Sequence, residues 1–70
     1  MEELFKDLER FGYILVYYYP LNAFMIVDES GNFRDYISTM FAERVAEHGY
    51  AFSCGVLPDV RGLYVRFRAV

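Results

Sequence analysis

The stretch Tyr13–Val27, YILVYYYPLNAFMIV, constrains this chain more than any other feature. In it only Asn22 is strongly polar, and four of its residues are tyrosines. A membrane-spanning helix needs about 20 apolar residues in a row. This run is shorter, and Pro20 and Asn22 interrupt it. Its β-branched and aromatic residues instead predict two strands, 13–19 and 22–28, separated by Pro20-Leu21. A strand with one wet face alternates apolar and polar residues. These two do not, so both of their faces need cover.

The rest of the chain supplies part of that cover. Leu4, Phe5, Leu8 and Phe11 recur at helical spacing over residues 2–11, with Glu2 and Glu3 in the first turn, Arg10 in the last and Gly12 as the stop. A second helix is predicted over residues 32–48, with Asn32 as N-cap and Gly49 as the stop. Its dry stripe is Phe33, Tyr36, Ile37, Met40, Phe41, Arg44, Val45 and His48. Residues 50–57 and 63–69 form a second pair of strands around Pro58–Gly62. Short gaps between strands imply antiparallel hairpins. The predicted fold is α+β: a two-layer αββαββ domain spanning residues 1–70, with a four-stranded antiparallel sheet and both helices on one face. Two αββ units, about 1–30 and 31–70, echo each other. Gly12 and Gly49 lie 37 residues apart, Pro20 and Pro58 lie 38 apart, and each glycine precedes a tyrosine.

Alternation sorts the strand residues onto two faces. A four-residue loop at 58–61 pairs Val56 with Leu63, Cys54 with Val65, Phe52 with Phe67 and Tyr50 with Ala69, all on an apolar face. Gly55, Ser53 and Ala51 then oppose Tyr64, Arg66 and Arg68 on the other. In the first hairpin Ile14, Val16, Tyr18, Ala23, Met25 and Val27 form a mostly aliphatic set, expected beneath the helices. Tyr13, Leu15, Tyr17, Tyr19, Phe24 and Ile26 form a mostly aromatic set, expected on the uncovered face and therefore as a contact surface.

A 70-residue chain with one cysteine has no internal disulfide to stiffen a small core, so association is the expected source of extra stability. Aromatic residues at 20% suit such an interface. The closed arrangement of least complexity is a two-fold homodimer. Ten acids against seven bases give a net charge of -3, which disfavours a general nucleic-acid coat. The opening MEELFKDLERFG reads as an amphipathic helix and not as a secretory leader, so the expectation is a cytoplasmic protein with Cys54 reduced and no membrane partner.

The chain lacks a glycine-rich phosphate loop, a nucleophile elbow, a paired-cysteine motif and His-x-x-x-His. No catalytic, cofactor or metal site is expected. Asp28–Asn32 is oxygen-rich but fails the calcium-loop spacing, and a turn accounts for it. His48 suits a helix C-terminus, and Cys54 is expected in the core. Glu2, Glu3, Asp7, Glu9, Asp35, Glu43 and Glu47 are expected to face solvent. The leading expectation is a small non-catalytic, homo-oligomeric binding or scaffold protein. One alternative is a single-stranded nucleic-acid binder in which Arg66 and Arg68 grip phosphates and Tyr64 stacks on a base. Another is a small inhibitor or adaptor docking on a larger protein, a size that would suit a phage or mobile element.

Overall fold

The computed structural model describes residues 1–70. Along the chain lie α1 (Glu2–Arg10), β1 (Ile14–Tyr18), a 3₁₀ turn (Tyr19–Leu21), β2 (Ala23–Val27), α2 (Thr39–Glu47), β3 (Tyr50–Val56) and β4 (Leu63–Ala69). The strands form one antiparallel sheet in the order β1-β2-β4-β3. Both helices pack on the same face of it, giving a two-layer α+β fold.

Each helix ends where a backbone that L-residues rarely adopt is required. Gly12 and Gly49 both take φ of 83°, which glycine reaches without a Cβ penalty. The helices then drop Leu4, Leu8, Phe41 and Val45 onto Tyr13, Ile26 and Val65, and all seven side chains are buried. Aromatic edges lock the layers. Phe41 meets Tyr13 at 5.1 Å and Phe52 at 5.3 Å, and Phe5 meets Phe24 at 5.0 Å and Phe67 at 5.9 Å. Burying one such side chain contributes about 1.5–3 kcal/mol.

The expected register of the second hairpin is observed pair for pair, from Tyr50 with Ala69 to Val56 with Leu63. The first hairpin also pairs as expected, with Ile14 opposite Val27, Val16 opposite Met25 and Tyr18 opposite Ala23. Its orientation is the reverse of the expected one. Tyr13 and Ile26 belong to the buried core, and Leu15 and Phe24 pack against it, so the aromatic set faces the helices. The aliphatic set occupies the helix-free face. The cause is the pairing of Phe24 with Val65 between β2 and β4. Paired residues share a face, and the arginine side of β4 cannot lie under the helices. Phe24 is therefore carried inward with Val65.

The second helix begins later than its periodicity predicts. Ser38, not Asn32, is the N-cap, and its Oγ accepts the Phe41 N–H at 3.2 Å. Residues 33 and 34 are pulled into the sheet. Phe33 bridges Val27, the Arg34 N–H donates to the Ile26 carbonyl at 2.9 Å, and the Leu63 N–H donates to the Arg34 carbonyl at 3.0 Å. The pairing of β2 with β4 is only two residues long, so the sheet opens there and this segment fills the gap. Those bonds satisfy main-chain groups that a helix would otherwise have used. Phe33 and Tyr36 accordingly stay exposed, whereas Ile37 and Met40 pack on the core.

The two halves repeat one order of elements, helix-strand-strand. Each contributes an edge strand (β1 or β3) and a central strand (β2 or β4). The Tyr13 hydroxyl donates to Oγ of Ser38, the N-cap of α2, at 2.6 Å. At the equivalent place, the Met1 amino group donates to the Tyr50 hydroxyl at 3.3 Å, and Met1 is the N-cap of α1. No helix is long and apolar enough to cross a membrane.

Candidate interaction site

The sheet order leaves β1 as an edge, and its sequence ILVYY contains no charge and no proline. It pairs with β2 residue for residue, without a bulge. Proteins usually protect an edge with one of these devices, because an edge strand presents unpaired N–H and C=O groups. Exposed apolar surface also gathers here. Val16 is 41% exposed, Tyr17 51% and Tyr19 83%. Tyr17 is nonetheless held in place: its hydroxyl donates to Asn22 Oδ1, and its ring meets Phe24 edge-on at 5.5 Å. Asn22 takes the left-handed conformation that closes the turn, with φ of 50°. Beside β1 runs a groove of about 370 Å³ between strand and helix. Its apolar wall is Met1, Phe5, Ile14 and Leu15, and Glu2, Lys6 and Glu9 form its rim.

Of the six residues expected to form the contact surface, only Tyr17 and Tyr19 are exposed. Tyr13 and Ile26 are buried, and Leu15 and Phe24 are half-buried against the helices. Val16, which the expected orientation places beneath the helices, is exposed instead. The helix-free face is also partly covered by the chain itself. The loop after β3 brings Leu57, Pro58 and Val60 beside Tyr18, Met25 and Phe33 around a hollow of about 210 Å³. Leu57 is buried there.

Tyr64, Arg66 and Arg68 do share the helix-free face, opposite Gly55, Ser53 and Ala51. The Tyr64 ring tip lies across Gly55, where a Cβ would overlap it. The Arg66 guanidinium sits 4.9 Å from the centre of that ring, and its Nη2 donates to the Leu21 carbonyl at 2.6 Å. One face of Tyr64 thus carries Arg66, and a base stacking on that face would have to displace it. A depression of about 200 Å³ lies between Ser53, Arg66 and Arg68.

Asp7, expected to face solvent, belongs instead to a polar cluster with Arg44 and His48 of the second helix's dry stripe. Asp7 falls at helical spacing between Leu4, Leu8 and Phe11, and it is only 7% exposed. Its Oδ2 accepts from Arg44 Nη2 at 2.6 Å, Arg44 Nε at 2.7 Å and His48 Nε2 at 2.8 Å, which ties α1 to α2. Hydrogen bonds from His48 and then Arg44 hold the Asp7 carboxyl below its ordinary pKa, and the Asp7 bond raises that of Arg44. Arg44 also reaches Glu47 at 2.7 Å. The bonding satisfies the buried carboxylate, so the cluster reads as an interhelical clasp.

No match to a protein-family model, a curated protein or a solved structure was found. Asp28 Oδ1 accepts the Ser30 and Asn32 N–H groups, each at 2.9 Å, so this carboxylate serves a turn. Cys54 is exposed, contrary to expectation, although its neighbour Phe52 on the same face packs on the core. Arg34 donates from Nε to the Gly12 carbonyl at 3.1 Å and lies 4.6 Å over the Tyr13 ring.

Proposed function

We propose that this is a small non-catalytic binding protein that works as a homo-oligomer, with the β1 hairpin at the contact. The observation that carries it is the concentration of exposed apolar side chains, Val16, Tyr17 and Tyr19, on and just after an unprotected edge strand. Monomers rarely leave such patches uncovered. Nucleic-acid binding by Tyr64, Arg66 and Arg68 is less well supported, because Arg66 is already engaged by Tyr64 and Leu21.

Light scattering at micromolar concentration tests the proposal. The unmodified chain should show a multiple of the single-chain mass. Val16→Glu, which places a charge on an exposed site, should remain folded by circular dichroism and fall to the single-chain mass. A single-chain mass for the unmodified protein across the micromolar range would refute self-association.

A further inference from the structure

The β1 edge has a shape and a pattern that suit one occupant, and we infer that this occupant is the β1 strand of a second copy, paired antiparallel about a two-fold axis at Val16. The inference rests on the self-association reading above and specifies its mode.

Three observations lead to it. First, β1 is regular and uncharged, with one-to-one pairing to β2 on its inner side, so its outer side can continue the ladder. Second, the pattern of β1 is self-complementary. Two antiparallel copies with their helices on the same face must pair residues of the same facing, so the axis passes through a residue. Centred on Val16, all five residues of each strand find apolar partners. Val16 meets its own copy and Ile14 meets Tyr18 on the helix-free face. Leu15 meets Tyr17 on the helix side. Aromatic and β-branched neighbours of this kind are favourable cross-strand pairs. The two exposed side chains of β1, Val16 and Tyr17, are thereby both covered.

Third, there is room. The Phe5 side chain of α1 reaches over Phe24 of β2 and Phe67 of β4, and a groove of about 370 Å³ stays open between α1 and β1, beside Ile14 and Leu15. The pairing places the partner's Tyr17 opposite Leu15, at the mouth of that groove. The rim carries both signs of charge, Glu2 and Glu9 with Lys6, so antiparallel copies of it can face each other without like charges alone in opposition. The other edge, β3, is a poorer template: it is interrupted by Gly55, and Ala51 and Ser53 offer little to pack.

Single cysteines placed in a Cys54→Ser background read the register. Val16→Cys should form a disulfide-linked dimer on mild oxidation, because directly opposed strand residues lie within disulfide reach. Ile14→Cys should not, since its twin would sit about 13 Å away along the strand. In the unmodified chain, hydrogen exchange of β1 amides should slow as concentration rises, while β3 amides stay unchanged. A stable oligomer in which residue 14 links as readily as residue 16, or in which β3 amides become protected, would overturn this pairing but keep self-association. A chain that stays monomeric, with β1 exchange independent of concentration, would overturn both.

Discussion

The two halves of this molecule place the same skeleton in two different settings. An offset of 37 residues superimposes Leu4 on Phe41, Leu8 on Val45, Gly12 on Gly49 and Tyr13 on Tyr50, and these positions do the same work in each half. The same offset sets Asp7 against Arg44, and there the halves differ in sign, so that they attract each other across the helix pair. The hairpins differ more. In β3–β4 one face is apolar and the other carries Arg66 and Arg68, the only charged residues in any strand. In β1–β2 both faces are apolar. The second hairpin encodes its own orientation in its amphipathy; the first takes its orientation from its neighbour and has apolar surface left over.

The difference can be broken by placing a charge on each face. Phe24→Glu should have the largest effect, abolishing folding as judged by far-ultraviolet circular dichroism. It buries a charge against Phe5 and Phe67 and removes an aromatic whose loss alone costs about 3–5 kcal/mol, against a total stability of about 5–15. Were the hairpin oriented the other way, this variant would fold. Phe41→Ala comes next. Phe41 touches Tyr13 at the start of the first hairpin and Phe52 in the second, so its loss should weaken both together by about 3–5 kcal/mol in a denaturant titration.

The charge difference between the helices gives a smaller, pH-dependent effect. Because the folded pKa of Asp7 is depressed, its stabilisation is fully present above the unfolded value of about 3.9 and is lost as pH falls through the folded value. Thermal melts should show stability dropping on that acid limb. Asp7→Asn should lower the melting temperature at neutral pH and flatten the limb, and an unchanged limb would remove the clasp from the account. The smallest effect concerns the end of the second hairpin. Cys54 should react with a thiol reagent in the folded protein without denaturant, and Cys54→Ser should change stability by no more than about 0.5 kcal/mol.

Much of the fold was legible because it depends on local pattern. The glycine stops, the α1 stripe and the full register of β3 with β4 follow from spacing alone. Asp7 was legible too, lying in the same stripe as Leu4 and Leu8, but it was read by charge and not by position. The candidate site was legible only in part. An excess of apolar surface in Tyr13–Val27 was evident, yet which of its side chains reach solvent was not. The start of α2 departs from its periodicity because Phe33 and Ile37 keep helical spacing while main-chain bonds to Ile26 and Leu63 hold residues 33–34 in the sheet.

The sequence by itself determined the two-layer architecture, the hairpins and the sorting of their residues into two faces, since periodicity is a property of neighbouring positions. Only the tertiary structure decided which face of the first hairpin turns inward, and that β1 is left as the open edge. Both depend on Phe24 lying beside Val65, a contact between residues 41 positions apart. With apolar side chains on both sides of the hairpin, nothing local distinguishes the two orientations, and the arginines of β4, which must stay in water, make the choice.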